Sequence, residues 1–283
     1  MTRRTPTPVA GCVLIVLIVL AALPTGCSRH IPPAGRNRVV VTTSWLECVL
    51  QDVSGDAFDV VRLCPPGSCP GHFDMKPSQM DAVRSSRFLL RFDFQEGLDE
   101  KIRPVCGKGL RIVSVTPGEG LCVPENYLRA CREVAEALSA GDPQSREGCA
   151  RSLTGIERRL GQLATELRDE VRKADLTGKR VVASRHQAAF CRWLGLEVRD
   201  VFGADDADNP RATARIIENA QSGRVACVVA NLQEGDRQAK ALAQRLEVPV
   251  VVFSNFPDMS DKQQTFDDLL RANVRQLIEA SRK

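Results

Sequence analysis

The sequence has few aromatic residues, few histidines and no run of basic residues. Aromatic side chains make up 5% of the 283 residues, which is little for a protein that must line a wide cleft around a haem, a corrinoid or a siderophore. Lysine and arginine are scattered, and the net charge of +4 is too small to indicate binding to nucleic acid. A carrier of large cofactors and a nucleic-acid-binding protein are therefore poor candidates.

The motifs of two large hydrolase classes are also absent. The sequence contains no His-Glu-x-x-His, which places two zinc ligands and a base on one helix. It also contains no Gly-x-Ser-x-Gly, which presents a serine nucleophile between a strand and a helix. A binding protein is therefore favoured over an enzyme.

The N-terminus is predicted to be an export signal. Arg3 and Arg4 precede an uncharged apolar stretch at residues 9–23. This stretch is shorter than the roughly 20 residues that a membrane-spanning helix needs, and its length is typical of the apolar part of a signal peptide. We therefore expect the mature protein to be exported.

The sequence Leu-Pro-Thr-Gly-Cys follows the apolar stretch and ends at Cys27. It resembles a bacterial lipobox, in which the cysteine is lipidated after cleavage. Residues 1–27 are therefore predicted to be a lipoprotein signal peptide, and residues 28–37, which contain proline and glycine, are predicted to be a flexible tether. The chain would then be anchored to a bacterial membrane by its N-terminal lipid, facing the periplasm or the cell exterior.

Eleven cysteines are many for a chain of this size. Cys12 and Cys27 fall within the predicted signal peptide, which leaves an odd number of cysteines in the folded part. An exported compartment permits disulfides, but at least one thiol must stay unpaired within the chain. Two candidate pairs can be named from the sequence: Cys64 with Cys69, and Cys131 with Cys149.

Two regions repeat an alternation of short apolar strands and amphipathic helices. The first spans residues 38–142 and the second spans residues 177–283. A series of this kind predicts a parallel sheet that is covered by helices. The fold class is therefore predicted to be α/β, with two lobes that each contain a mainly parallel sheet flanked by helices.

Residues 143–176, between the two regions, are predicted to form a long connecting helix. Apolar residues recur there at steps of three and four, which is typical of one face of a helix. About 30 residues at 1.5 Å each span roughly 45 Å, enough to follow the side of both lobes as a rigid backbone. Two helices broken near Gly155 or Gly161 are the alternative. The residues of the apolar face are Leu153, Ile156, Leu160, Leu163, Leu167 and Val171.

Polar side chains follow several of the predicted strands. Of the three histidines, His72 lies in a loop after a strand of the first region, and His186 follows the first strand of the second region. Ligands of open α/β sheets bind beyond the carboxyl ends of the strands, so two facing lobes would bring these groups into one cleft. Imidazole and carboxylate groups suit Zn²⁺, Mn²⁺ or Fe²⁺. The other candidates at strand ends are Glu119, Asn231, Gln233, Asn255 and Asp258.

These residues lie in sequence blocks that resemble the zinc/manganese-type substrate-binding lipoproteins of bacterial ABC transporters. The similarity extends from Val39 to about Ile278. A valine-rich strand leads into two threonines, and a Pro-Pro-Gly loop that begins at Pro65 contains His72 before an aromatic residue, an acid and Pro-Ser. Pro124 begins a Pro-Glu-Asn sequence that matches the start of a helix in the family. The family's fold has two α/β lobes joined by a rigid helix, with the metal between them.

The resemblance implies four metal ligands from four loops. His72 occupies the first position, and Glu119 stands where the family usually has a histidine. His186 takes the third position. Asp258 is the nearest candidate for the fourth, and its alternatives are Asn231, Gln233 and Asn255. The His/Asp-rich loop of many zinc-specific members is absent, so manganese and iron stay open beside zinc.

The resemblance also implies the function. The chain would be a monomer that captures a divalent transition metal ion outside the cytoplasm and delivers it to the membrane permease of an ABC transporter. No catalytic residue is expected. Two alternatives stay open: a helix-backboned binding protein for a metal chelate such as a siderophore or corrinoid, and a metal-dependent hydrolase that uses Glu119 as its base.

Overall fold

The first lobe consists of alternating strands and helices, as the apolar periodicity predicts. The computed structural model describes residues 37–65, 75–104, 106, 109–206, 209–258 and 265–282. The elements of this N-terminal lobe are β1 (Arg38–Val41), α1 (Ser44–Ser54), β2 (Asp59–Arg62), α2 (Pro77–Arg84), β3 (Phe88–Phe92), α3 (Gly97–Ile102), β4 (Arg111–Val115) and α4 (Pro124–Gly141).

The second lobe repeats this alternation. The elements of this C-terminal lobe are β5 (Arg180–Ser184), α6 (Arg185–Trp193), β6 (Glu197–Phe202), α7 (Pro210–Gly223), β7 (Cys227–Asn231), α8 (Arg237–Leu246), β8 (Val250–Phe253) and α9 (Phe266–Ser281).

The two sheets have the same strand order. The first is β2-β1-β3-β4 and the second is β6-β5-β7-β8, and the strands of both pair in parallel. Every residue of β3 and of β7 is buried, because helices cover both faces of each sheet. The predicted α/β fold with two parallel sheets is therefore confirmed.

The connecting helix, α5 (Arg146–Lys173), has 28 residues and follows a short 3-10 turn, Pro143–Ser145. It passes without a break through Gly155 and Gly161, so the alternative of two shorter helices is wrong. Each of these glycines costs only about 1 kcal/mol in a helix, and the buried apolar face of α5 offsets that cost. The buried members of that face are Ile156, Leu160, Leu163, Leu167 and Val171.

One hydrophobic core extends through both lobes, from β1 to α9, and includes the apolar face of α5. Two smaller cores lie on the other faces of the sheets, one beneath α2 and α3 and the other beneath α7 and α8. Residues 34–283 form one compact unit. The lobe boundaries at 38–142, 143–176 and 177–283 stay predictions.

A polar cluster joins α5 to both lobes. Asp52 of α1 accepts hydrogen bonds from the hydroxyl of Tyr127, at 2.7 Å, and from the guanidinium of Arg159 on α5. The Nε of Arg159 lies 3.6 Å from a carboxylate oxygen of Asp267 on α9. The rings of Tyr127 and Phe266 stack with their centroids 3.8 Å apart. The two lobes are therefore fixed to the same segment of the connecting helix.

The cysteines of the helices are not paired as the sequence suggested. Cys131 on α4 and Cys149 on α5 are buried free thiols. The pKa of the Cys131 thiol is raised well above its ordinary value, first by burial and then by the nearby charge of Asp52. Packing of α4 on α5 therefore does not bring the two sulfurs together. The other suggested pair includes Cys69, which lies outside the described residues.

Among the helices of the described part of the chain, we find none whose length and apolar character would let it cross a membrane.

Candidate metal site between the two sheets

A cavity of about 660 Å³ lies between the two lobes. Its walls are formed by α6 and by loops that follow the carboxyl ends of strands in both sheets, which is the edge where α/β proteins bind ligands. Glu119 and Gly120 line it from the N-terminal lobe, and His186, Glu234 and Asn255 line it from the C-terminal lobe. The structure therefore brings Glu119 and His186 to one cavity.

The loop that carries Glu119 is held by glycines and by one asparagine. Gly118 and Gly120 have φ angles of +66° and +88°, which glycine adopts without steric cost. The side-chain amide of Asn126 donates to the carbonyl oxygens of Glu119 at 2.6 Å and Gly120 at 3.0 Å. A Cβ atom on Gly120 would lie 2.8 Å from the Cβ of Ala189 on α6. The asparagine of the Pro-Glu-Asn sequence thus positions a loop that packs directly on the other lobe.

His186 stands in the first turn of α6, which begins directly after β5. Ser184, the last residue of the strand, caps this helix, because its hydroxyl oxygen accepts a hydrogen bond from the backbone N–H of His186 at 3.3 Å. The imidazole is 59% exposed. The cap therefore fixes the backbone of His186 while its side chain stays accessible at the cavity.

Glu234 lies beside His186 in the same cavity. It belongs to a 3-10 turn, Leu232–Glu234, that follows β7. Its Oε1 is 3.5 Å from the Nε2 of His186, and its Oε2 accepts a hydrogen bond from the hydroxyl of Ser184 at 2.7 Å. Ser184 is fully buried. The buried serine therefore holds one carboxylate oxygen of Glu234, and the other oxygen faces the imidazole.

Buried amide side chains form part of the cavity floor in the C-terminal lobe. The Nε2 of Gln187, on α6, donates to the Oδ1 of Asn231 at 3.1 Å and to the Oδ1 of Asn255 at 3.0 Å. The Oε1 of Gln187 is buried and has no hydrogen-bond partner among the described residues. The backbone N–H of Asn255 donates to the Oε1 of Gln233 at 3.1 Å. The floor is a neutral network in which each asparagine oxygen already accepts a hydrogen bond.

Cys122 joins the two lobes beneath the cavity. Its thiol is fully buried and donates to the carbonyl oxygen of Ser254, after β8, at 3.2 Å. Burial raises the pKa of the Cys122 thiol far above its ordinary value. Since metals bind the thiolate, this cysteine acts as a link between lobes and is a poor metal ligand.

The remaining predicted residues are placed differently. Asp258 is exposed and lines a neighbouring cavity, which shares Phe256 and Gln233 with the first one. His72 and Cys27 lie outside the described residues, so their roles stay predictions. The alternatives to Asp258 all line the cavity that contains His186: Asn231, Gln233 and Asn255.

In the part of the chain that the structure describes, no three His, Cys, Asp or Glu side chains form a group that could hold a metal ion. The cavity contains the pair His186 and Glu234, with Glu119 contributed by the other lobe. Glu234 was not among the candidates named from the sequence, which included only Asn231 and Gln233 from this loop. A carboxylate that follows the same sheet edge a few residues later was the available signal.

Two parallel sheets, one helical backbone and a cavity at the carboxyl edges define a two-lobed α/β protein with a candidate ligand site between its sheets. The model of the family described as zinc-uptake complex component A, periplasmic (ZnuA), matches residues 122–280, which is more than half of the chain. The chain therefore belongs to this family. Proteins of this family are the binding components of transport systems.

Individual relatives agree with this assignment. The manganese ABC transporter substrate-binding lipoprotein PsaA of Streptococcus mitis is 20% identical, over 94% of this chain and 96% of the relative. A crystal structure of ZnuA aligns with a TM-score of 0.72 and 17% identity, over 87% of this chain and 99% of that one. A manganese-bound periplasmic metal-binding protein from Candidatus Liberibacter asiaticus gives a TM-score of 0.73 at 15% identity, over 86% of this chain and 98% of that one. At these identities the two structures establish the fold.

Proposed function

We propose that this chain is the extracytoplasmic binding component of a metal ABC transporter, which captures a divalent transition metal ion between its lobes and delivers it to a membrane permease. The observation that carries the proposal is the cavity between the carboxyl edges of the two sheets, which is lined by an imidazole and by carboxylates in a member of the ZnuA family. Nitrogen and oxygen ligands of this kind suit such metals.

The proposed ligands are His72, Glu119 and His186, with Asp258 as the sequence-based candidate for the fourth position. The names of similar proteins include zinc, manganese and, in a further solved structure, cadmium. Zinc and manganese are therefore the first metals to test, and iron is the third. Zinc should bind more tightly than manganese, because the affinity order of divalent metals at nitrogen and oxygen ligands favours zinc.

The proposal also covers the attachment of the protein to the membrane and the movement by which it binds and releases its metal. The chain would act as a monomer, attached to the membrane through a lipid on Cys27. The unbroken α5 and the cluster around Arg159 support a small movement of the lobes on binding, in place of a wide hinge. Release would then need the permease to displace a ligand-bearing loop, and the loop of Glu119 packs directly on the other lobe.

The first experiment is elemental analysis of protein purified without added metal, followed by competition titration with Zn²⁺, Mn²⁺ and Fe²⁺. One bound metal per chain, with Zn²⁺ tighter than Mn²⁺, supports the proposal. His186→Ala should weaken Zn²⁺ binding by at least about 100-fold, because it removes a ligand and not only a supporting group. Arg237→Ala is the control, since Arg237 is exposed at the start of α8 and does not line the cavity. A protein that binds none of the three metals would refute the proposal.

The size of the cavity favours one second candidate. A volume of about 660 Å³ is in the range of small-molecule sites, roughly 300–1,000 Å³, and exceeds what a bare ion occupies. A metal chelate is therefore the alternative cargo. Titration with a ferric hydroxamate chelate and with Zn²⁺ alone separates the two, because only the alternative predicts binding of the chelate without binding of Zn²⁺.

A further inference from the structure

We infer that Glu234 is a metal ligand and that Glu234 and His186 together form the half of the metal site contributed by the C-terminal lobe. The inference rests on the proposed metal-binding function and names one of its ligands. Glu234 lies in the loop between β7 and α8, where the sequence reasoning placed only the amides Asn231 and Gln233.

The separation of the two side chains is that of neighbouring ligands. The Oε1 of Glu234 is 3.5 Å from the Nε2 of His186, which is longer than the roughly 2.7–3.2 Å of a hydrogen bond between nitrogen and oxygen. Ligand atoms that stand about 2.0–2.1 Å from a tetrahedral zinc ion are about 3.3 Å apart. The separation of 3.5 Å is therefore nearer to that of two zinc ligands than to the usual length of a direct hydrogen bond.

Ser184 orients both members of the pair. Its hydroxyl donates to the Oε2 of Glu234 at 2.7 Å, and the same oxygen accepts the backbone N–H of His186 at 3.3 Å. The serine is fully buried, so water does not compete for these bonds. Metal ligands are commonly held in this way by a buried group behind them. The arrangement leaves Oε1 of Glu234 directed at the imidazole.

The other candidate groups of the C-terminal lobe are less well placed. Asp258 lines the neighbouring cavity and not the one that contains His186. The side-chain oxygens of Asn231 and Asn255 already accept hydrogen bonds from Gln187. Among the described acidic residues that line the cavity, Glu234 is the one contributed by this lobe. An ordinary ion pair of Glu234 with an imidazole that is 59% exposed would add little to stability and would not depend on metal.

The test compares Glu234→Gln with Asp236→Asn in titrations in which Zn²⁺ is the only metal. Asp236 is in the same loop, and its carboxylate pairs with Lys240 at 2.8 Å. Glu234→Gln should lower the affinity for Zn²⁺ by at least about 100-fold, and Ser184→Ala should lower it about 10-fold. Asp236→Asn should change it by less than about threefold, since exposed ion pairs contribute little.

A second variant covers the possibility that Glu234→Gln fails to fold. Glu234→His keeps a ligand at this position but replaces oxygen with nitrogen, so Co²⁺ should still bind and its visible absorption spectrum should change. An unchanged Co²⁺ spectrum in Glu234→His, unchanged Zn²⁺ affinity in Glu234→Gln, or a greater loss from Asp258→Asn than from Glu234→Gln would overturn the inference while the metal-binding function stands. A wild-type chain that binds no metal would overturn the function itself.

Discussion

The two lobes have the same strand order but different chemistry at equivalent places. β3 and β7 are equivalent strands in the orders β2-β1-β3-β4 and β6-β5-β7-β8. Near the end of β3, Arg91 forms two hydrogen bonds with Asp99 of α3, at 2.6 and 2.9 Å. At the end of β7, Asn231 accepts a hydrogen bond from Gln187 in a neutral network. A repeated topology therefore does not fix what stabilises the edge of the sheet.

The two edges should differ in how their stability depends on pH. Arg91 and Asp99 have side chains that are less than one-tenth exposed, and the hydrogen bonds from Arg91 lower the pKa of Asp99. The amides of Gln187, Asn231 and Asn255 do not titrate. The edge of the N-terminal lobe should therefore weaken in acid, and the amide network of the C-terminal lobe should not.

The largest effect is expected from Asp99→Asn. It leaves the buried guanidinium of Arg91 without its carboxylate partner, and loss of one member of a buried ion pair costs about 3–5 kcal/mol. Chemical denaturation of both proteins at pH 7 measures this loss. Asp81→Asn is the control, because Asp81 pairs with Arg84 on the surface and should contribute about 1 kcal/mol or less.

The same variant tests the pH dependence. The pKa of Asp99 is lower in the folded chain than in the unfolded chain, where it is about 4. The stabilisation by this pair is therefore complete above about pH 4 and is lost as the pH falls through the lowered pKa. Asp99→Asn should flatten the fall of the free energy of unfolding at acid pH. An equally steep fall in the variant would contradict this role for Asp99.

A smaller effect is expected from Gly120→Ala, which tests the contact of the Glu119 loop with the other lobe. Gly178→Ala is the matched control, since both glycines have positive φ angles but a Cβ on Gly178 would meet nothing within 4 Å. The control should lose about 1 kcal/mol from backbone strain alone. The Cβ at position 120 would lie 2.8 Å from that of Ala189, so this variant should lose about 2–3 kcal/mol and should also bind Zn²⁺ more weakly. Equal losses from the two substitutions would show that the loop does not depend on this contact.

The fold could be predicted from the sequence because its signals are local. The apolar strands and the spacing of apolar residues in α5 each specify one element, and covered parallel sheets follow from their alternation. The rule for sheet edges also brought Glu119 and His186 to one cavity. The short α3, whose six residues carry little periodicity, was not predicted.

The interior of the site depends on contacts that the sequence does not display. Gln187 reads as an ordinary helical residue, yet its partners Asn231 and Asn255 lie 44 and 68 residues further along the chain. The role of Ser184 likewise depends on Glu234, 50 residues away. The pairing suggested for Cys131 and Cys149 failed for the same reason, since two packed helices do not reveal which side chains face each other. Local patterns thus located the cavity but not its hydrogen bonds.

The smallest effect is expected from Gln187→Leu, which completes the comparison with the charged edge of the N-terminal lobe. The substitution removes the donor to Asn231 and Asn255 but also removes the buried Oε1, which has no partner among the described residues. The two consequences oppose each other, so the net loss should be about 1 kcal/mol. Gln238→Leu is the matched control, because the buried Nε2 of Gln238 has no partner within the described chain and its removal should cost nothing. Urea denaturation at pH 4 and pH 7 should give the same loss for Gln187→Leu at both values, since no group of this network titrates. A loss that grows in acid would mean that the C-terminal edge, like the edge beside Arg91, depends on charge.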